Sequence, residues 1–250
     1  MKNSVLKIDS LTKSFGAVIA SQNISLELNR NEIHALIGSN GAGKSTIVKL
    51  ITGFLKQESG NIFLEGKEIS NLSSEQRAQK GIARSFQVSS IINNFSLIDN
   101  IKLSLIGKNK RSLDFLSNLN LDQQAYKEAY GFLKEVNLED KAEFLVSSLS
   151  HGEKRKLEIC IALSMNPKLF LLDEPMAGLD GDSSKLIVDL FKKIKNRAPI
   201  LLIEHDMDTV FSLADRISVL DYGKIIATGT VEEIRNNQTV KEVYLGTENP

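Results

Sequence analysis

GSNGAGKST, residues Gly38 to Thr46, is the stretch that decides the fold. It fits the pattern G-x-x-x-x-G-K-[ST] at every fixed position, with the apolar strand EIHALIG before it and the helical segment KSTIVKLITGFL after it. The glycines let the loop curl so that backbone N–H groups point at phosphate oxygens, and the helix N-terminus adds the positive end of its dipole. The sequence therefore predicts that the chain binds a nucleoside triphosphate.

Two side chains of this loop are predicted to carry its chemistry. Lys44 can reach the β- and γ-phosphates, and the hydroxyl of Ser45 can coordinate Mg²⁺. The predicted nucleotide-binding residues of the loop are Gly38, Ser39, Asn40, Gly41, Ala42, Gly43, Lys44, Ser45 and Thr46.

Polar side chains follow two apolar strands further along the chain. LFLLDE ends with Asp173 and Glu174, and ILLIEH ends with His205. Because ligands bind at the carboxyl edge of an open parallel sheet, Asp173 is predicted to hold Mg²⁺, Glu174 to activate the attacking water, and His205 to contact the γ-phosphate. The alternatives are a solvated acidic pair that opens a turn and an ordinary surface histidine. His34 lies inside a strand and is predicted to be structural.

Composition excludes several classes of protein. The 250 residues carry 31 basic and 31 acidic side chains, so no net charge favours nucleic acid or an anionic membrane surface. Cys160, the single cysteine, has no partner for an internal disulfide or a cysteine-based metal site. No apolar run approaches the ~18–20 residues of a membrane span, and the N-terminus lacks a signal peptide's apolar core. We expect a soluble, cytoplasmic chain that reaches a membrane only through a partner.

Strands and helices alternate along most of the chain. Uniformly apolar strands separated by helices favour a mostly parallel sheet that is covered on both faces. The middle, roughly residues 91–148, changes to helical spacing, with Ala125, Ala129, Phe132, Leu133 and Val136 on one face. This segment is predicted to be a helical insertion in an α/β scaffold.

LSHGEKR, Leu149 to Arg155, allows two interpretations. Ser150 and Glu153 form the S-x-x-E pattern of a capping box, which opens a helix. The stretch could also be half of an active site that contacts a ligand held by another molecule.

Six motifs in order, GSNGAGKST, RSFQ, LSHGEKR, LFLLDEP, AGLD and IEHD, resemble those of the ATP-binding cassette (ABC) ATPases along essentially the whole chain. The resemblance implies an α/β fold with a RecA-like P-loop NTPase core around a parallel sheet, an N-terminal antiparallel β subdomain and an inserted α-helical subdomain. It implies one domain over residues 1–250, with the ATP-binding core at 1–87 and 160–250 and the helical subdomain at 88–159.

The resemblance also assigns roles to individual residues and names ATP and Mg²⁺ as cofactors. Gln87 of RSFQ would contact Mg²⁺ or water and face a transmembrane partner, and Asp180 of AGLD would lie at a dimer seam. His205 would be the switch histidine, and Phe15 of KSFGAV would stack on adenine. The signature residues, which would serve ATP bound by a second cassette, are Ser150, His151, Gly152 and Glu153. The usual signature reads LSGGQ, so His151 and Glu153 depart from it.

Longer stretches such as LSHGEKRKLEI, DEPMAGLD and VKEVYLG resemble ATP subunits of branched-chain (hydrophobic) amino acid importers. Urea importers and lipopolysaccharide exporters have similar ATP subunits and are the alternatives. The implied partners are a second ABC ATPase, identical or related, transmembrane permeases and, indirectly, a periplasmic solute-binding protein, with no nucleic acid. The chain would then be peripheral on the inner face of the cell membrane.

Two further classes fit less well. Soluble ABC proteins of DNA repair, chromosome organisation or translation carry zinc modules, coiled-coil insertions or two fused cassettes, whereas this chain has one cysteine and one phosphate-binding loop. A cassette that only binds ATP would not need both Glu174 and His205.

Overall fold

The computed structural model describes residues 4–84, 91–108, 119–177, 179 and 181–243. Its strands are β1 (Ser4–Phe15), β2 (Val18–Asn29), β3 (Ile33–Gly38), β4 (Ser59–Leu64), β5 (Lys67–Glu68), β6 (Ile82–Arg84), β7 (Leu169–Asp173), β8 (Ile200–Ile203), β9 (Arg216–Asp221) and β10 (Lys224–Gly229). Its helices are α1 (Lys44–Thr52), α2 (Ser74–Gln79), α3 (Leu97–Lys108), α4 (Leu119–Glu135), α5 (His151–Ser164), α6 (Gly181–Ile194), α7 (Met207–Leu213), α8 (Val231–Asn236) and α9 (Gln238–Val243).

The larger sheet has six strands in the order β10-β9-β3-β8-β7-β6. β3 is parallel to β8 and β9, β7 is parallel to β6 and β8, and β10 joins β9 antiparallel at one edge. β3, β7 and β8 are buried along their whole length, as strands covered on both faces must be. The predicted parallel core is confirmed.

The smaller sheet is antiparallel, in the order β2-β1-β4-β5. Its inward side chains, such as Leu6, Leu28 and Ile62, form one apolar core with α1 and with strands of the larger sheet. This is the predicted N-terminal antiparallel subdomain, which is also confirmed.

The two faces of β3 contribute to different apolar clusters. Leu36 belongs to the core shared with α1, whereas Ala35 and Ile37 pack in a second cluster with residues of α7, α8 and α9. Burial on both faces holds β3, and therefore the loop that follows it, in the centre of the sheet.

The contacts divide the chain into two compact units. The sheet unit comprises Met1–Arg84, Lys168–Glu174 and Phe191–Pro250, and the helical unit comprises Ser85–Pro167 and Pro175–Leu190. Helices α3, α4 and α5 pack together in the helical unit. The predicted helical insertion is thus present.

The sequence predicted that the helical subdomain spans residues 88–159. The two compact units have other limits, and the predicted subdomain boundaries stay a prediction. A boundary at 160 falls inside α5, which runs unbroken from His151 to Ser164. Cys160 is buried on this helix, and its Sγ lies 3.3 Å from the carbonyl oxygen of Phe132 on α4. The second half of α5 therefore packs against α4 within the helical unit. Within the described ranges, no helix is long and apolar enough to cross a membrane.

Candidate nucleotide-binding site

The loop between β3 and α1 depends on three glycines. Gly41 and Gly43 have φ of 85° and 111°, in the left-handed region where side chains are strained. A Cβ added at Gly38 would lie 2.3 Å from the carbonyl oxygen of Leu220, and one at Gly43 would lie 2.2 Å from that of Ala20. Backbone conformation and close packing together explain why glycine occupies these positions.

Lys44 lies in the curl of this loop. Its ammonium donates to the carbonyl oxygens of Gly38 at 2.8 Å and Ser39 at 2.9 Å. Burial lowers the pKa of Lys44, while the negative charges of Glu174 and Asp173 act against that shift. A partly desolvated cation held by carbonyl groups is a favourable partner for a phosphate anion.

The start of α1 is free of competing anions. Its N-cap, Gly43, supplies no side-chain hydrogen bond, and its first turn contains no acidic residue. The first backbone N–H groups of a helix have no intrahelical partner, so an anion can satisfy them. The side chains of the loop leave this helix start open to an anion. Ser39, Asn40 and Ser45 are exposed, while Ala42 is buried.

The parallel register of β7 and β8 brings the predicted carboxylate and histidine together. Asp173 pairs with Ile203, and the backbone N–H of Glu174 donates to the carbonyl oxygen of Ile203 at 2.9 Å. As a result, Nδ1 of His205 lies 3.7 Å from Oε1 of Glu174. His205 lies at the same sheet edge as the acidic pair.

Asp173 and Glu174 have different environments. The side chain of Glu174 is 40% exposed, so water can reach it, whereas that of Asp173 is 2% exposed. Glu174 also has φ of 47°, a left-handed conformation that is uncommon for a residue with a side chain and is often found at functional sites.

Glu204 was not identified from the sequence as part of this edge. It is buried, and its Oε2 accepts a hydrogen bond from the backbone N–H of His205 at 2.9 Å and lies 3.5 Å from Nδ1 of His205. It therefore holds the turn that presents His205. The sequence feature that could have identified Glu204 is its position directly before the strand-end histidine in ILLIEH.

Arg84 is a second residue that sequence reasoning missed. Its Nη2 donates to Oδ2 of Asp173 at 2.9 Å, and its side chain is only 16% exposed. β6 pairs in parallel with β7, and the register places Arg84 opposite Leu171, two residues before Asp173. One oxygen of the predicted magnesium ligand is thus held by a guanidinium. The sequence feature that could have identified Arg84 is its position at the end of the short apolar segment GIAR.

We expect Arg84→Met to lower the free energy of unfolding by about 3–5 kcal/mol, because the buried Asp173 carboxylate loses the Arg84 guanidinium. Chemical denaturation without nucleotide measures this effect. Arg30→Met is the matched control, since Arg30 is 58% exposed and pairs with Glu65 at the surface. Asp173→Asn in the Arg84→Met background should recover part of the loss. Equal stability of the Arg84→Met and Arg30→Met proteins would contradict this prediction.

The donors present fit Mg²⁺ bound together with phosphate oxygens. Among the described residues, no group of three or more His, Cys, Asp or Glu side chains could hold a metal ion. Mg²⁺ in phosphoryl-transfer enzymes uses one or two protein ligands and fills its shell with phosphate oxygens and water. The Asp173 carboxylate and the Ser45 hydroxyl are donors of the required kind.

Phe15 lies at the end of β1 and is 48% exposed. It pairs with Val18 across the hairpin, and Nζ of Lys13 lies 5.5 Å from the ring centroid. An exposed aromatic face is able to stack on a planar base. Its contact with adenine stays a prediction.

Ser150 caps α5 in the helical unit, as the S-x-x-E pattern predicts. Its Oγ accepts from the backbone N–H of Glu153 at 3.3 Å, and the Glu153 carboxylate accepts from the backbone N–H of Ser150 at 2.9 Å. His151, the first residue of α5, is exposed. The predicted capping box is confirmed.

Two predicted site residues, Gln87 and Asp180, lie outside the described residues, so their roles stay predictions.

His34 is structural, as predicted. Its ring nitrogens lie 2.8 Å from Oγ of Ser218 and 3.1 Å from the carbonyl oxygen of Glu27. Burial and, secondarily, Arg216 lower the pKa of His34 to about 4, so its ring is neutral at physiological pH.

Three features together define a P-loop ATPase of the cassette type. They are a phosphate-binding loop at the centre of a parallel sheet, acidic and histidine residues at neighbouring strand ends, and an inserted helical unit. The family model described as ABC transporter matches residues 21–177, and the chain belongs to this family. It is an ABC ATPase. A second family model, Branched-chain amino acid ATP-binding cassette transporter, matches residues 224–249.

Individual relatives span nearly the whole chain. The High-affinity branched-chain amino acid transport ATP-binding protein LivG of Salmonella typhimurium is 36% identical over 256 residues, covering 98% of this chain and 99% of LivG. BraF of Pseudomonas aeruginosa, which has the same description, is 33% identical over 98% of this chain and 99% of its own length. The Lipopolysaccharide export system ATP-binding protein LptB of Haemophilus influenzae is 36% identical over 97% of this chain and 98% of LptB.

Solved structures have the same fold. The ADP conformation of MJ1267, an ATP-binding cassette of an ABC transporter, has a TM-score of 0.84 and 28% identity and covers 98% of this chain and 99% of its own. A nucleotide-free ATP-binding cassette from an ABC transporter has a TM-score of 0.81 and 30% identity and covers 98% of this chain and 100% of its own.

Proposed function

We propose that this chain is the ATP-hydrolysing subunit of an importer that takes up branched-chain or other hydrophobic amino acids through separate membrane permeases. The observation that carries the transported class is the match of residues 224–249 to the branched-chain amino acid cassette model. Relatives with that description at up to 36% identity over 98% of the chain support it. Lipopolysaccharide export is the second candidate, favoured by the similarity to LptB over 97% of the chain.

ATP is bound by the loop, with Lys44 and the first N–H groups of α1 on its phosphates. Phe15 contributes an exposed ring for the adenine. Mg²⁺, when bound, neutralises charge on the β- and γ-phosphates, and the residues that would hold it are Ser45, Asp173 and Gln87. Arg84 orients the buried carboxylate of Asp173, since its guanidinium donates to Oδ2 of that side chain at 2.9 Å.

Glu174 accepts a proton from the attacking water in this mechanism. Its carboxylate is solvent-accessible and lies at the sheet edge beside His205. His205, whose turn is held by Glu204, donates a hydrogen bond to the γ-phosphate and stabilises the charge that develops there. Phosphoryl transfer depends mainly on positioning and electrostatics, which these residues supply.

The signature of a second cassette completes each site. The Oγ of Ser150 accepts a hydrogen bond within its own capping box, which leaves the hydroxyl proton able to donate to a phosphate oxygen of the neighbour's ATP. The N-terminus of the 14-residue helix α5 adds its dipole. Two cassettes, identical or related, therefore sandwich ATP, with Asp180 at their seam.

The helical unit offers an apolar patch for a permease. The patch consists of four residues that are 41–52% exposed, namely Ile92, Phe95, Phe144 and Leu145. Backbone hydrogen bonds from Leu97 to Phe144 and from Val146 to Phe95 hold the two segments together. Exposed apolar clusters of this kind mark interaction surfaces. Docking of a permease there would place the chain on the inner face of the membrane, with a periplasmic binding protein reached only through the permease.

Uptake of radiolabelled leucine in cells that lack this gene tests the proposal. Restoration by the wild-type chain, and failure of Lys44→Ala to restore uptake, is the expected result. Valine and isoleucine should compete for uptake, whereas urea should not. Normal leucine uptake in the deleted cells, together with a defect in lipopolysaccharide delivery or in urea uptake, would overturn the amino acid assignment in favour of that alternative.

A further inference from the structure

Lys141 contacts the signature from outside the motif. Its Nζ lies 2.5 Å from Oε1 of Glu153, while the other carboxylate oxygen, Oε2, accepts from the backbone N–H of Ser150. Lys141 ends the short turn Glu139–Lys141, and the carbonyl oxygen of the next residue, Ala142, accepts from the backbone of α3 at 2.9 Å. A chain of contacts therefore runs from Lys141 through Glu153 to Ser150, all within the helical unit.

Glu153 stands where the usual signature has glutamine, so it adds a negative charge at the start of α5. Partial burial by itself would raise the pKa of Glu153, but hydrogen bonds from Lys141 and Ser150 hold that pKa below its usual range. The carboxylate is therefore ionised at neutral pH. A bare carboxylate at this position would repel a triphosphate that approaches the N-terminus of α5.

We propose that Lys141 is a positioning residue for the signature: its ammonium neutralises Glu153 and fixes the carboxylate against Ser150, so that α5 presents a hydroxyl donor without a facing negative charge. The inference rests on the proposed function, in which Ser150 serves ATP bound by a second cassette. Lys141 itself does not contact the nucleotide.

If the Lys141–Glu153 ion pair only stabilised the fold, its removal would lower the melting temperature and leave ATP-driven dimer formation unchanged. The side chain of Lys141 is 41% exposed, and exposed pairs contribute little to stability. Removal of the ammonium should therefore change the melting temperature only slightly. Its effect should appear in the step where two cassettes close on ATP.

The test uses the full chain carrying Glu174→Gln, so that ATP is bound but turns over slowly. The ATP concentration that gives half-maximal dimer is measured by analytical ultracentrifugation with Mg²⁺. Lys141→Met should raise this concentration roughly 10-fold, and Lys141→Arg should leave it within about 2-fold of the parent because it keeps the charge. Lys134→Met, which removes an exposed lysine from α4 of the same unit, is the matched control and should cause no shift. Binding of a fluorescent ATP analogue to the monomer should be the same in all variants.

Glu153→Gln provides the decisive background. Lys141→Met should have almost no further effect on dimer formation there, because no carboxylate remains to be neutralised. A 10-fold shift that persists in the Glu153→Gln background, or no shift in either background, would overturn the role of Lys141 alone. A Glu174→Gln parent that forms no dimer at any ATP concentration would overturn the shared site, and this inference with it.

Discussion

Glu174→Gln is expected to bind ATP normally and to hydrolyse it about 10²–10⁴-fold more slowly. The amide has the size of the carboxylate but cannot accept a proton from water. The loop, Lys44 and His205 stay in place, so the ATP-bound dimer should accumulate. Phosphate release measures the rate, and size-exclusion chromatography with and without ATP measures the dimer.

Glu65→Gln is a matched control for this variant. Glu65 also has a left-handed φ, 48°, but it lies in the β4–β5 hairpin and pairs with Lys168 and Arg30. Turnover of the Glu65→Gln protein should equal that of the wild type. Near-normal turnover in the Glu174→Gln protein would remove Glu174 from the role of general base.

Ser150→Ala is expected to lower ATPase turnover by about 10²–10³-fold. The lost donor acts on charge that develops at the neighbour's γ-phosphate. The same change removes a helix cap, which costs about 1 kcal/mol, or roughly 2–4 °C in Tm for a chain of this size. A large catalytic effect should therefore accompany a small stability effect.

Ser73→Ala separates the two roles. Ser73 forms the same kind of capping box, with Gln76 at the start of α2 in the sheet unit. Its replacement should cost a similar few degrees in Tm and leave turnover per folded chain unchanged. If Ser150→Ala behaves like Ser73→Ala, the signature serine is a cap and nothing more.

Much of the site was predictable because its determinants are local. The loop follows from glycine spacing between a strand and a helix, and the capping box follows from two residues three positions apart. The edge shared by Glu174 and His205 was also predictable, since both follow apolar strands and the carboxyl ends of parallel strands meet at one edge.

The limits of the helical unit were harder to predict from the sequence. The helical spacing of the middle segment predicted an insertion, but not that α5 continues unbroken through residue 160. Packing against α4, as at Cys160 and Phe132, keeps the second half of α5 in that unit. Such contacts depend on the arrangement of helices and not on the periodicity of any one of them.

By itself, therefore, the sequence determined the class of fold, the phosphate-binding loop, the acidic strand end and the helix cap. Only the tertiary structure decided that Arg84 holds Asp173, 89 residues away, and that Lys141 pairs with Glu153. Charge pairs of this kind are set by strand order, register and helix packing. A residue pattern encodes which side chains share a face of one element, but the partner on another element is chosen when the core forms.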